Sequence, residues 1–77
     1  MYQTIYKIEI LKEYLAGVIA NYFQYMKDNK TSTHIQENYN RLREIYSSII
    51  FVDDMNELNE LEKEIKEYKR YIDELQL

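Results

Sequence analysis

The chain contains no cysteine, no proline and a single glycine among its 77 residues. Without cysteine, disulfide bonds and thiolate metal sites are excluded, and a reducing compartment such as the cytosol is favoured. Hairpins and tight turns depend on proline and glycine, so their near absence argues against a β-rich or loop-rich fold. Together these absences predict a helical, cytoplasmic protein.

Long apolar runs and an excess of positive charge are also missing. No stretch approaches the ~20 apolar residues that a membrane span requires. The first residues lack the basic start and the small-residue cleavage site of a secretory signal. The net charge of −4 is unsuited to binding nucleic-acid phosphates. We therefore expect no membrane and no nucleic-acid partner, and a basic protein surface is the better electrostatic fit.

Apolar residues recur at steps of three and four, as on the buried side of amphipathic helices. The pattern predicts three helices, over about residues 4–28, 34–51 and 55–76. The row of residues that each helix should bury, which we call its seam, is as follows for the three helices in order: Ile8, Leu11, Leu15, Val18, Tyr22 and Tyr25; Ile35, Tyr39, Leu42, Ile45, Tyr46 and Ile49; and Leu58, Leu61, Ile65, Tyr68, Ile72 and Leu75. Three such helices joined by short turns predict an all-α fold, an antiparallel three-helix bundle that forms one domain over residues 1–77.

The helix borders carry recognisable signals. Thr33 with Gln36, and Asp54 with Glu57, have the spacing of capping boxes, which predicts that Thr33 and Asp54 cap the second and third helices. Between them, residues 50–52 (Ile-Phe-Val) are all apolar, so we expect them to be buried in a tight connection. The tyrosines on the seams can pack their rings while their hydroxyl groups reach water.

No catalytic constellation is evident. The chain has one histidine, His34, beside a predicted cap, and a metal site needs several converging ligands. Glu9 and Glu13 resemble half of a carboxylate metal site, but no E-x-x-H motif completes it. Asp53 and Asp54 suit helix capping, and the chain has no phosphate-binding glycine loop. We expect a protein that is not an enzyme and needs no cofactor.

A second pattern runs along the first helix on the side away from Leu15. Tyr2, Tyr6, Glu9 and Glu13 lie there in register, well over a right angle from the seam. A face selected for solubility alone would more often alternate charges, and tyrosines with paired acids suit contact with a basic, concave site on another protein. The same pattern also fits a solvated face on which the tyrosines are accidental. Ala16, Gly17 and Ala20 continue near that side and leave the backbone open to close approach. Because a mid-helix glycine costs about 1 kcal/mol relative to alanine, Gly17 suggests a packing reason.

Residues 2–13 have the form Y-x-x-x-Y-x-I-E-I-L-x-E, which brings Tyr2, Tyr6, Glu9 and Glu13 into one frame with Ile8, Ile10 and Leu11. This segment resembles the first helix of the epsilon antitoxins of epsilon–zeta toxin–antitoxin modules, with tyrosine for phenylalanine at position 6 and leucine for isoleucine at position 11. Residues 49–61 and 69–71 resemble the family's apolar turn and its third helix. Residues 27–40 match poorly, and Ile65 stands in place of the family's tryptophan.

The resemblance implies a three-helix bundle that inhibits a zeta-type toxin, a kinase that phosphorylates UDP-N-acetylglucosamine. The antitoxin's first helix would lie over the nucleotide site of the toxin, with Tyr2, Tyr6, Glu9 and Glu13 as the blocking residues. It further implies an assembly of two antitoxin and two toxin chains, a heterotetramer. The nucleotide site of a kinase offers basic side chains and backbone amides at a helix start, and carboxylates can bind these groups in place of phosphate.

Two other interpretations fit parts of the sequence. The heptad of the third helix could be the seam of a homo-oligomeric structural or phage scaffold protein. A small helical bundle could also be a bacteriocin-type immunity protein, although such proteins usually carry a more basic surface.

Overall fold

The computed structural model describes residues 2–29 and 31–76 and shows an all-α three-helix bundle. Helix α1 spans Tyr2–Asp28, α2 spans Thr33–Ser48, a 3-10 turn follows at Ile49–Phe51, and α3 spans Met55–Leu75. The single domain predicted over residues 1–77 stays a prediction, and its residues 1, 30 and 77 lie outside the described residues.

The helices run up, down and up. Tyr22 of α1 bonds Asn38 of α2 while Lys12 lies over Tyr46, so α2 runs antiparallel to α1. Lys7 of α1 meets Glu62 near the start of α3, so α3 runs parallel to α1.

Helix α1 packs against both other helices more extensively than they pack against each other. At about 1.5 Å per residue its 27 residues reach about 40 Å, so α1 spans nearly the whole 42 Å length of the molecule.

The predicted seams form the core. Leu15, Leu42 and Ile65, one from each helix, are completely buried. The other buried apolar residues are Ile8, Leu11, Val18, Tyr22, Ile35, Ile45, Ile49, Leu58 and Ile72. The seam weakens at its margins, where Tyr46 and Leu75 are exposed. Hydrophobic periodicity therefore identified the buried side of every helix.

The cap of α3 is confirmed, and the predicted cap of α2 is wrong by one residue. An Asp54 carboxylate oxygen accepts a hydrogen bond from the Asn56 amide at 3.0 Å. At α2, Ser32 is the N-cap: its backbone is extended, and its Oγ accepts from the Ile35 amide at 3.2 Å. Thr33 is already helical. Serine and threonine both cap well, so residue type alone does not distinguish between them.

The expectation that residues 50–52 are buried is also wrong. Ile49 is completely buried, whereas Ile50 and Phe51 are 58% and 83% exposed, and Val52 is partly buried. A 3-10 turn has three residues per turn, so positions three apart share a face. Ile49 and Val52 therefore point to the core, and the two residues between them are turned outward.

Tyr22 departs from the expectation that seam tyrosines keep their hydroxyl groups in water. Its side chain is completely buried. The hydroxyl donates to the Tyr68 carbonyl at 2.7 Å and accepts from the Asn38 side-chain amide at 3.2 Å. Burial raises the pKa of Tyr22. The network joins all three helices at one level and satisfies the buried amide of Asn38, which sequence periodicity did not place in the core.

We expect Tyr22→Phe to lower the free energy of unfolding by about 1–3 kcal/mol, because the buried Asn38 amide loses its acceptor. Adding Asn38→Leu should recover part of the loss, since removing both polar partners leaves no unsatisfied group. Urea unfolding of both variants and of wild type measures the difference. If Tyr22→Phe is as stable as wild type, the network contributes nothing to folding.

Arg41 and Glu64 join α2 to α3, the two helices that pack least against each other. The guanidinium donates two hydrogen bonds to the carboxylate, at 2.7 and 3.0 Å. These bonds hold the pKa of Glu64 below its usual value. The same carboxylate accepts a hydrogen bond from the Tyr68 hydroxyl, and burial together with this bond raises the pKa of Tyr68 to about 12. Both charges of the pair are therefore satisfied within the bundle.

Candidate functional site

The blocking residues predicted on α1 lie together on its outward face. Tyr2 and Tyr6 are 90% and 67% exposed, and Glu9 and Glu13 are exposed beside them. Tyr2 is helical, two residues before the predicted start of α1, so it stands in register with Tyr6. We call these four residues the α1 strip. From Tyr2 to Glu13 it extends about 16 Å along the helix.

The α1 strip carries negative charge only, because the neighbouring lysines are held by other helices. Lys7 donates to Glu62 of α3 at 2.8 Å, which lowers the pKa of Glu62. Lys12 lies over the ring of Tyr46 on α2, at 5.0 Å from its centre. Among the residues that the structure describes, neither Glu9 nor Glu13 has an ion-pair partner. The two carboxylates are thus free to meet a basic group from outside.

Two isoleucines border the α1 strip and were not identified from the sequence. Ile5 and Ile10 are 56% and 45% exposed, and helical geometry places one on each side of the strip. With the rings of Tyr2 and Tyr6 between them, they form an exposed apolar stretch, and large exposed stretches of this kind typically mark a binding surface. In the sequence, both residues fall outside the buried seam, and Ile10 is also part of the motif of residues 2–13.

The outward face of α1 continues beyond Glu13 without a charge. Residues 14–26 contain no acidic or basic side chain, and Ala16, Gly17, Ala20 and Phe23 are exposed among them. A Cβ atom at Gly17 would meet no other part of the described chain within 4 Å. The cost of about 1 kcal/mol for this glycine therefore has no packing reason inside the bundle.

Residues 2–29 and 31–76 offer no site for a metal ion. No group of three histidine, cysteine, aspartate or glutamate side chains could hold a metal ion there. His34 is exposed and packs edge-on against Tyr71, with ring centres 4.8 Å apart. Across the same residues, no helix is long and apolar enough to pass through a bilayer. The outward face of α1 instead combines exposed tyrosine rings with carboxylates that have no ion-pair partner among the described residues.

Comparison with known families gives a match over most of the chain. The family model of the bacterial epsilon antitoxins matches residues 1–75 of the chain. The chain belongs to the bacterial epsilon antitoxin family. It therefore serves as the antitoxin of a toxin–antitoxin system, and its partner is a toxin. Membership of this family indicates a non-enzymatic regulatory protein.

The family match includes residues 27–40, which resemble the family least on inspection, and so extends over all three helices of the antitoxin. None of the curated proteins and none of the solved structures gives a significant match to the chain.

Proposed function

We propose that this antitoxin inhibits a zeta-type kinase of UDP-N-acetylglucosamine by placing the α1 strip in the kinase's nucleotide-binding site. Glu9 and Glu13 take the place of phosphate groups, against the basic side chains and helix-start amides that bind nucleotide phosphates. The rings of Tyr2 and Tyr6 occupy the adjoining part of the cleft. Inhibition is steric and requires no chemistry from the antitoxin.

The observation that carries the proposal is the pairing pattern on α1. Lys7 and Lys12 are the basic residues of the amino-terminal half of α1, and both are held by other helices. Glu9 and Glu13 lie one turn apart and keep their charge unpaired on the exposed face. Carboxylates so placed repel each other mildly in the free protein, and a basic cleft relieves that repulsion.

The apolar border of the α1 strip fits an enclosed site. Charge-assisted hydrogen bonds strengthen where water is excluded, provided that each buried charge is paired. Ile5 and Ile10 can seal the two long edges of the strip against the walls of the cleft. Tyrosine contributes a large, rigid contact area and is enriched at the centre of interfaces.

The proposed complex is a cytoplasmic heterotetramer of two antitoxin and two toxin chains. Occupation of the α1 strip leaves the outer surfaces of α2 and α3 uncovered. One antitoxin can therefore hold a toxin through α1 and still meet a second antitoxin elsewhere.

The alternative of a homo-oligomeric scaffold through α3 lacks support. Leu58, Ile65 and Ile72 of this heptad are completely buried against α1 and α2. Leu61 is partly buried, and Leu75 at the end of the heptad is exposed. The centre of the heptad is therefore used within the chain and is not available to a second copy.

Nucleotide competition tests the mechanism directly. A fluorescent ATP analogue bound to the kinase encoded beside the antitoxin gene should be released on addition of one equivalent of antitoxin. Fluorescence anisotropy measures the release, and an excess of unlabelled analogue should lower the apparent affinity of the antitoxin in proportion. The mechanism is wrong if the antitoxin binds the kinase and the labelled nucleotide stays in place.

A further inference from the structure

The carboxyl-terminal half of the outward face of α1 is unusual for an exposed helix. Exposed faces normally carry charged side chains, yet thirteen consecutive residues, 14–26, have none. The exposed residues here are Ala16, Gly17, Ala20, Phe23 and Gln24, and we call the first four the distal face. Phe23 is 57% exposed. The α1 strip and the distal face therefore form one continuous surface with two chemistries, acidic and phenolic at one end and small and apolar at the other.

A groove borders the distal face on the side of α2. It lies between α1 and α2, is lined by Ala16, Ile19, Arg43, Tyr46 and Ser47, and encloses about 260 Å³. The groove is open to solvent and begins beside Ala16, one turn beyond the α1 strip. Small side chains at Ala16, Gly17 and Ala20 let another backbone approach α1 closely at this point.

We infer that the distal face is a second contact surface for the same toxin molecule, outside its nucleotide site. An apolar helix or strand of the toxin lies across Gly17, places a side chain in the groove beside Ala16 and packs against Phe23. This inference rests on the proposed function, because the α1 strip must first enter the toxin. The strip blocks the nucleotide site, and the distal face adds affinity and fixes the depth of entry.

Continuity along one helix favours the toxin over other occupants. The α1 strip covers about 16 Å, and Phe23 lies about 30 Å from Tyr2 along the same rigid helix. A toxin that encloses the first turns of α1 therefore has its rim against the next turns. A second antitoxin seated on the distal face would occupy the space that this rim needs. An uncharged surface also matches an apolar rim, whereas the acidic strip matches the basic cleft.

Two variants with matched controls test the inference on the full-length antitoxin. Ala20→Lys adds a charge to the distal face, and Asn59→Lys adds the same charge to an exposed position of α3. Phe23→Ser removes an exposed ring from the distal face, and Phe51→Ser removes one from the 3-10 turn. Isothermal titration against the kinase encoded beside the antitoxin gene gives the Kd, and circular dichroism checks that each variant is helical.

We expect Ala20→Lys and Phe23→Ser to weaken toxin binding at least about tenfold and both controls to change it less than about twofold. At saturating concentration the two distal variants should still displace nucleotide, because the α1 strip is unchanged. If wild type binds and Glu9→Lys abolishes binding while the distal variants bind like wild type, the inference is wrong and the proposed function stands. Equal losses in variants and controls overturn the inference as well.

Two further outcomes would also overturn the inference. If Ala20→Lys dissociates a dimer of the free antitoxin and leaves the toxin Kd unchanged, the distal face takes a second antitoxin and the inference is wrong. If wild type shows no affinity for the kinase, both the proposed function and the inference are overturned.

Discussion

A double variant, Tyr6→Ala with Glu9→Lys, should bind the toxin at least about 100-fold more weakly than wild type. Tyr6 supplies the most central ring of the α1 strip, and Glu9 supplies one of its two unpaired carboxylates. Truncating an interface hot spot costs about 2 kcal/mol or more, and every 1.4 kcal/mol is a factor of about ten in Kd. Reversing the charge of Glu9 adds repulsion from a basic cleft, so we expect no neutralisation of the toxin in cells.

The same variant should keep its fold, because both side chains are exposed and away from the core. Circular dichroism and urea unfolding should agree with wild type to within about 1 kcal/mol. The matched control is Phe51→Ala with Glu37→Lys, which removes one exposed ring and reverses one exposed carboxylate outside α1. Rescue of toxin-producing cells by the Tyr6→Ala, Glu9→Lys variant would show that the α1 strip is not the inhibitory surface.

The sequence predicted the helices well because each seam repeats over at least four turns. In α1 the recurrence of Ile8, Leu11, Leu15, Val18 and Tyr22 leaves one helical phase, and the bundle buries all five. Short signals were less reliable. Ser32 and Thr33 are both good capping residues, so residue type alone did not distinguish between them, and the structure shows Ser32 as the cap.

The short connection between α2 and α3 shows a second limit of prediction from sequence. Three consecutive apolar residues predict burial in most contexts, but burial depends on the local turn. In the 3-10 conformation Ile49 faces inward while Ile50 and Phe51 face solvent. The turn type is set by where α3 must begin relative to α2, which is information from the tertiary structure. Asn38 is a similar case, since its burial depends on the Tyr22 hydroxyl from another helix.

For the candidate site, the sequence identified four residues and the structure added their surroundings. Helical phase alone placed Tyr2, Tyr6, Glu9 and Glu13 on one face. Lys7 contacts α3 and Lys12 contacts α2, so the partners of both lysines depend on how those helices pack against α1. The absence of positive charge on the α1 strip could therefore be seen only in the folded chain. The apolar borders formed by Ile5 and Ile10 became evident for the same reason.

Leu15→Ala should have the largest effect on folding and leave the binding surface chemically intact. Leu15 is completely buried at the centre of the α1 seam. Removing a buried leucine costs about 2–5 kcal/mol, and packing in a domain of this size supplies only about 3–5 kcal/mol. We therefore expect a largely unfolded or marginally stable chain, measured by urea unfolding. Ile50→Ala, at an exposed position, removes a similar side chain and should cost less than about 1 kcal/mol.

Because the α1 strip and the core seam are opposite faces of one helix, toxin should restore the folding of Leu15→Ala. A ligand that binds only the folded state stabilises it by about 2.7 kcal/mol at 100 times its Kd. Thermal unfolding of the variant with increasing toxin should therefore shift to higher temperature, whereas the Tyr6→Ala, Glu9→Lys variant should show no such shift. If toxin leaves the unfolding of Leu15→Ala unchanged while wild type binds, the toxin does not require a folded α1. In that case a binding surface made by the helical face of α1 would be refuted.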